Sequence, residues 1–150
     1  MKRVNPLDDV FDRLARSDFR SRFRLGPKER DYLAAKGFGT IRDHARGFID
    51  RRLAPAAPPN DGRQTPWRGH PVFVAQHATA TCCRTCLQRS HGVPKGRELS
   101  AGEQGGVVDL ITRWIERELA AYPRSEEVLE GVPQPAPEAL AQPRRRLAAP

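Results

Sequence analysis

Side chains that bind soft metals are concentrated in one short stretch, residues 70–91, which contains all three cysteines and three of the four histidines. Within it, two residues separate Cys83 from Cys86, and His91 follows Cys86 after four more. Thiolates and imidazoles are ligands that zinc prefers, and this spacing brings two thiols and one ring within one or two turns of chain. The stretch therefore predicts metal or thiol chemistry.

A tetrahedral zinc site needs a fourth ligand, and several residues of the same stretch are candidates. His77 is favoured, because it precedes Cys82 by only five residues. Cys82 could also take the place of Cys83, and His70 could fold back onto the site. A complete zinc knuckle is excluded, since glycine stands at position 96, where its last ligand would be. The predicted ligands are Cys83, Cys86, His91 and His77, with Cys82 and His70 as alternates.

These residues are compatible with several kinds of site. Four protein ligands would make a closed, structural zinc site, whereas three ligands and a water molecule would make a hydrolytic one with His70 or His77 as base. Without metal, Cys83 and Cys86 could form a reversible disulfide in a thiol-redox enzyme. The cysteines could also be small buried hydrophobes without chemistry. The sequence leaves open whether the protein is an enzyme.

Positive charge is in excess along most of the chain. Its 26 Lys and Arg residues against 18 Asp and Glu give a net charge of +8, and residues 1–54 alone carry 14 basic and 8 acidic side chains. A basic surface favours an anionic partner. We predict nucleic acid, because each phosphate that the protein neutralises releases counterions and so favours binding. A solvated, arginine-rich surface without a partner is the alternative. The candidate phosphate contacts are Arg68, Arg84, Arg89, Lys95 and Arg97.

Cysteine use and hydropathy predict a soluble cytoplasmic protein. Three cysteines, two of them adjacent, do not suit a disulfide framework, and the first nine residues lack the apolar run of a signal peptide. No apolar run approaches the ~20 residues that span a bilayer. We therefore expect a reducing compartment and no membrane contact.

The front half of the chain is predicted to hold three helices that help to position the ligand-bearing stretch. Apolar residues recur at helical spacing over residues 7–14. Residues 26–27, a Gly-Pro pair, begin a second helix that Gly37 ends, and a third helix follows over residues 40–53. A loop rich in proline and alanine, residues 54–62, then leads towards the cysteines.

The middle of the chain is predicted to contain one strand, and the part after it one long helix. Residues 72–74 are a short apolar run that predicts a buried strand, and residues 82–90 predict one or two helical turns. Ser100 and Glu103 have the spacing of a capping box, and a long apolar pattern around Trp114 follows them.

The chain has the length of one domain with a flexible end. The predicted fold class is α+β and mostly helical: a helical front half, a short strand with a Cys/His-bearing turn, and a long closing helix. Residues 1–122 are predicted to form this domain. Residues 123–150 contain six prolines and few apolar side chains, so they are predicted to be a disordered tail.

Three segments carry a resemblance to a known family. They read Gly69-His70-Pro-Val-Phe-Val-Ala-Gln-His77-Ala-Thr-Ala-Thr-Cys82-Cys83-Arg-Thr-Cys86-Leu, His91-Gly-Val-Pro-Lys-Gly-Arg97 and Thr40-Ile-Arg-Asp-His44-Ala-Arg. With them the chain resembles, over about residues 5–121, a family of small bacterial proteins known only as a domain of unknown function. The resemblance implies a bacterial cytosolic protein and brings no activity, ligand or fold.

Overall fold

The computed structural model describes residues 6–123, and these residues form seven helices. The predicted disordered tail, residues 123–150, lies outside the described residues except for Pro123. No helix in the described part of the chain has the length and apolar character needed to cross a membrane. The helices are α1 (Pro6–Leu14), α2 (Asp18–Ser21), α3 (Pro27–Lys36), α4 (Phe38–Arg52), α5 (Pro71–Ala78), α6 (Arg84–His91) and α7 (Ala101–Ala121).

The longest helix, α7, packs against α4 and α5 and contributes much of the core. It begins with the predicted capping box, which is confirmed. The Ser100 side chain accepts a hydrogen bond from the Glu103 N–H (3.1 Å), and the Glu103 carboxylate accepts one from the Ser100 N–H (2.9 Å). On its inner face Ile111 and Ile115 are fully buried, and each such side chain contributes about 2 kcal/mol to stability.

The apolar run that predicts a strand is helix α5 instead, and the described residues contain no strand, so the α+β class is wrong. His70 caps this helix: its Nδ1 accepts a hydrogen bond from the Val72 N–H (3.0 Å), and Pro71 occupies the first helical position. Seven of the eight residues of α5 are buried, so the helix has almost no solvent-exposed face. A helix buried on all sides reads as a continuous apolar run, which periodicity cannot distinguish from a buried strand.

The three predicted front helices are confirmed as α1, α3 and α4. Between α1 and α3 the chain also forms α2, a single turn that was not predicted. Ser17 caps it by accepting a hydrogen bond from the Arg20 N–H at 3.2 Å. Because α2 contacts α5, it brings Arg20 close to the cysteines.

Candidate metal centre

Three sulfur atoms meet at the start of α6. The Sγ atoms of Cys82, Cys83 and Cys86 all lie within 4.8 Å of one another, and none is in a disulfide. Cys82 and Cys83 are buried, and Cys86 is half-buried. Three free thiols this close together are able to hold a metal ion. These three residues are called the cysteine group below.

Helix α6, predicted as one or two helical turns, brings two of the thiols together through its N-terminus. Cys83 is the N-cap residue, and its Sγ accepts a hydrogen bond from the Cys86 N–H at 3.4 Å. The positive end of the helix dipole therefore lies beside both sulfurs and stabilises negative charge there. The helix ends at His91 and is capped by Gly92, whose φ of 70° is the left-handed conformation that glycine adopts most easily.

Buried hydrogen bonds hold the turn that carries Cys82. The Thr65 hydroxyl donates to the Cys82 carbonyl at 2.7 Å, and the Gln76 side-chain amide donates to the Thr81 carbonyl at 3.0 Å. Ala80 has a φ of 59°, a conformation that costs about 1–2 kcal/mol for a residue with a Cβ. The polar contacts around this turn stabilise it in spite of that cost, and they keep Cys82 next to the other two sulfurs.

Arg20 joins the cysteine group from a distant part of the chain, although it is not among the predicted site residues. Its Nη2 lies 3.1 Å from the Cys86 Sγ, and its Nη1 lies 3.8 Å from the Cys82 Sγ. Nη1 also donates to the His77 carbonyl at 2.6 Å, which orients the guanidinium. No local pattern marks Arg20, because it stands 66 residues before Cys86 and depends on the packing of α2 against α5.

The thiols and the guanidinium change one another's acidity. Hydrogen bonds from Cys82 and Cys83, together with Arg20, hold the pKa of Cys86 well below its usual range, although burial opposes this. Hydrogen bonds to Cys83 and Cys86, followed by burial, raise the pKa of Cys82. In the metal-free protein the cysteine group therefore carries a negative charge at Cys86, which the other thiols and Arg20 stabilise.

His77 is buried beside the cysteine group and shares Arg20 with it. Its ring stacks on Trp67, with centroids 4.1 Å apart. Its Nε2 lies 3.1 Å from the Thr65 carbonyl oxygen, so Nε2 carries the ring hydrogen and Nδ1 keeps its lone pair. Nδ1 is buried and has no hydrogen-bond partner among the described residues. Burial lowers the pKa of His77 to about 4, which keeps the ring neutral near pH 7.

His91, the last residue of α6, is tied to the turn before the cysteines. Its Nε2 lies 2.6 Å from the Thr79 carbonyl oxygen, which leaves Nδ1 as the ring atom with a lone pair. Burial lowers the pKa of His91 as well. The side chains that lie close enough together to hold a metal ion include neither His77 nor His91. The structure thus brings the three cysteines together, and both predicted histidine ligands lie outside their group.

His70, the alternate ligand, makes other contacts. Its Nδ1 caps α5, and its Nε2 lies 2.9 Å from the Nδ1 of His44. Both ring nitrogens are therefore engaged, and His70 does not join the cysteine group. These contacts also leave it poorly placed to act as the base of a hydrolytic metal site.

Arg84, a predicted phosphate contact, lies inside the protein with only 1% of its surface exposed. Its Nη1 donates to the carbonyls of Leu53 and Pro55 (3.2 and 2.9 Å), and its Nη2 donates to those of Pro94 and Arg97 (2.8 Å each). The guanidinium therefore connects the loops on either side of the cysteine group. It is not open to a phosphate, and in this structure its role is to stabilise the fold.

The other four predicted phosphate contacts lie on the surface. Arg97 forms two short hydrogen bonds with the Glu103 carboxylate (2.7 and 2.6 Å), and Lys95 also has an acidic neighbour. Arg68 and Arg89 are exposed. The carboxylates reduce the positive charge that Arg97 and Lys95 would offer to a phosphate.

Comparison with known proteins agrees with the resemblance seen in the sequence. No solved structure matches the chain. The model of one protein family matches residues 8–116, a range that contains Arg20, the cysteine group and both neighbouring histidines. Because this match covers well over half of the sequence, the chain belongs to the family described as Domain of unknown function (DUF4186).

Proposed function

We propose that this protein binds one zinc ion through the thiolates of Cys82, Cys83 and Cys86. The supporting observation is that all three sulfurs lie within 4.8 Å of one another. Zinc–sulfur bonds of ~2.3 Å in a tetrahedron separate the sulfurs by about 3.8 Å. Small side-chain movements are therefore sufficient for three thiolates to reach one ion.

The charges around the cysteine group favour a thiolate-bound divalent cation. Three thiolates and Zn²⁺ together carry one negative charge, and the Arg20 guanidinium, 3.1 Å from the Cys86 sulfur, balances it. Buried charges are stable when they are paired and hydrogen-bonded. Donors such as the Arg20 N–H groups commonly surround metal ligands and hold them in orientation.

For the fourth ligand we propose the Nδ1 atom of His77. This atom is buried without a partner, which is unfavourable unless something binds it. The opposite nitrogen, Nε2, donates to the Thr65 carbonyl, and a contact of this kind typically orients histidine ligands in metal sites. His91 makes the same kind of contact with Thr79 and is the second candidate. Four protein ligands would close the site and make its role structural.

Two enzymatic functions would use the same residues. If neither imidazole binds, water takes the fourth position and the site becomes hydrolytic. If no metal binds, Cys83 and Cys86 can lose two protons and pass two electrons to the disulfide of a partner, which is reduced to two thiols as they form a disulfide of their own. The lowered pKa of Cys86 makes this thiol-redox function the second candidate.

Metal analysis of protein purified without a histidine tag tests the zinc proposal. We expect one equivalent of zinc per chain and thiols that react slowly with a thiol reagent. The Cys82→Ser and Cys86→Ser variants should lose most of the zinc. A metal content below ~0.2 equivalents, together with three freely titrating thiols, would contradict the proposal.

Cobalt substitution distinguishes the three functions, because the absorption bands of Co²⁺ report thiolate ligation and tetrahedral geometry. We expect the His77→Asn variant to change the spectrum. The matched His44→Asn variant should leave it unchanged, since His44 contacts His70 and not the cysteines. If only His91→Asn changes the spectrum, His91 is the fourth ligand, and if neither does, water is. A metal-free protein with a reversible disulfide between Cys83 and Cys86 would support redox function.

We also propose that the protein works in a reducing compartment such as the cytoplasm. Three neighbouring thiols remain available to a metal where disulfides are kept reduced. Fractionation of cells that express the protein checks this location. Recovery from an oxidising compartment, with a disulfide inside the cysteine group, would contradict it.

A further inference from the structure

A second cluster of side chains lies outside the proposed metal site. Five rings from α3, α4 and the α5 region contact one another, with centroid separations from 4.8 to 6.4 Å. His70 is buried and contacts the other four, which are half-buried. The cluster is called the ring patch, and its members are Tyr32, His44, Phe48, His70 and Phe73.

Hydrogen bonds within the ring patch determine which nitrogen of each neutral histidine carries the hydrogen. The Nδ1 of His70 accepts from the Val72 N–H at 3.0 Å, so the hydrogen of His70 is on Nε2. That Nε2–H donates to the Nδ1 of His44, 2.9 Å away. The hydrogen of His44 is therefore on its own Nε2, which makes no hydrogen bond within residues 6–123. Half-buried His44 can thus offer this N–H donor to a ligand.

Positive charges lie over several rings of the ring patch. The Lys36 ammonium lies 5.9 Å from the centroid of Tyr32, and the Arg52 guanidinium lies 4.8 Å from that of Phe48. Arg51 adds a third cation, 5.9 Å from Phe48. Helix α4 as a whole carries four arginines and two aspartates. The combination of flat rings and cations suits a ligand that is anionic and has flat rings of its own.

We propose that the ring patch binds single-stranded nucleic acid. The flexible Lys36 and Arg52 side chains, which lie over the rings of Tyr32 and Phe48, can turn towards the phosphates, and the half-buried rings then provide stacking surfaces for unpaired bases. The Nε2–H of His44 can donate to a phosphate or base oxygen. A duplex is a poorer ligand, because its bases are already stacked on one another. Binding here does not depend on zinc, since no member of the ring patch is a proposed zinc ligand.

Fluorescence anisotropy with the full chain, purified with its metal, tests this inference. The probes are a labelled oligothymidylate of about 15 nucleotides, an oligouridylate of the same length and a matched duplex. We expect the single strands to bind roughly tenfold more tightly than the duplex. The affinity should fall about tenfold or more between about 50 and 200 mM salt, as three phosphate contacts require.

Two variants and one control locate the binding surface. Phe48→Leu keeps an apolar side chain but removes a stacking ring, so Kd should rise about fivefold or more. Arg52→Gln removes one cation and should lower the slope of log affinity against log salt by about 0.7. Arg117→Gln is the matched control, because its guanidinium also covers a phenyl ring, that of Phe11, at 4.7 Å. Its Kd should change by less than about twofold, and melting curves should show that every variant is folded.

Several results would overturn the assignment. The first is absence of binding at low salt, and the second is equal affinity for the single strand and the duplex. The third is an equal change in Kd in the Arg52→Gln and Arg117→Gln variants. The fourth is that a mononucleotide displaces the labelled strand as well as an unlabelled strand does at the same total concentration of bases. That result would identify a free nucleotide as the ligand and would also overturn the assignment. A chain that binds single strands and holds no zinc would contradict only the zinc proposal, so the two failures are distinguishable.

Discussion

Two arginines of this protein make buried or half-buried contacts of different kinds. Arg84 is almost fully buried and donates to main-chain carbonyls from two loops. Arg20 donates instead to the sulfurs of Cys82 and Cys86 and to one carbonyl. A guanidinium removed from water needs partners for its N–H groups, and its planar fork reaches several acceptors at once. At both positions a lysine would therefore keep the positive charge but lose hydrogen bonds that the arginine makes.

The Arg84→Lys variant should have a free energy of unfolding about 3 kcal/mol below that of the wild type. A lysine ammonium keeps the charge but cannot reach carbonyls of two loops together, so buried oxygens lose their donors. Urea unfolding with zinc present measures the change. Exposed Arg89 in the same helix provides the matched control, and Arg89→Lys should change stability by less than about 0.5 kcal/mol. Equal losses in the two variants would contradict the role given to Arg84.

His70 should make the fold less stable as the pH falls from about 6.5 to about 4. Burial, and then the neighbouring His44, lowers the pKa of His70 from 6.5 to about 4. The unfolded chain takes up this proton at a higher pH than the folded protein does. Stability that is present above pH 6.5 is therefore lost as the pH falls towards 4, by up to about 3 kcal/mol.

The His70→Asn variant provides the comparison for this pH effect. Asparagine can cap α5 through its side-chain oxygen, but it does not titrate in this range. Urea unfolding at several pH values should show wild-type stability falling relative to that of the variant between pH 6.5 and 4. Loss of the proposed zinc ion at low pH would affect both proteins and would largely cancel in the difference. A difference that stays constant across this range would show that His70 does not titrate as described.

At the scale of the elements, the residues that cap the helices also help to position the cysteine group. Cys83 caps the start of helix α6 and Gly92 caps its end, and Ser100 caps the start of α7. Each end satisfies main-chain groups that the helix itself leaves without partners. Because Cys83 is both a cap and a thiol of the cysteine group, the structure of α6 and the geometry of the candidate metal centre depend on each other.

Glycine substitutions at the C-cap of α6 and inside α7 should have opposite effects on stability. Gly92 has a φ of 70°, which costs about 1 kcal/mol for a residue with a Cβ. Gly105 lies inside α7, where an added Cβ would meet no atom within 4 Å. We expect Gly92→Ala to lower the free energy of unfolding by about 1 kcal/mol and Gly105→Ala to raise it by a similar amount. Chemical unfolding of both variants measures this, and two losses of equal size would contradict it.

At the scale of the whole molecule, the candidate metal centre exists only when distant helices are packed. Helix α5 contacts α2, α3, α4 and α7, and the turn that follows it carries Cys82. Arg20 and the cysteines are far apart in an unfolded chain and come together only through these contacts. Folding and metal binding should therefore stabilise each other.

Removal of the proposed zinc ion should lower the Tm of the whole domain by about 5 °C or more, because a metal that binds only the folded state stabilises that state. Thermal unfolding with added zinc and with a strong chelator measures the difference. Cys86→Ser is the control, since it should melt at a lower temperature and respond little to the chelator. An identical Tm for the wild type under both conditions would contradict the coupling.

Short-range patterns in the sequence determined several features of this protein. The two-residue gap between Cys83 and Cys86 places both thiols at the start of α6, and the spacing of Ser100 and Glu103 begins α7. The periodicity of the front half predicted α1, α3 and α4 correctly. All of these features depend on residues within a few helical turns of one another, so local spacing is enough to specify them.

Only the tertiary structure decided the rest. Residues 71–78 form a helix rather than a strand, which their apolar pattern could not reveal because the segment is covered on nearly all sides. Arg20 reaches Cys86 across 66 residues, His70 joins the ring patch instead of the cysteine group, and Arg84 is buried. Such placements depend on many weak contacts between segments that are distant in the sequence. A local sequence pattern gives no information about these contacts.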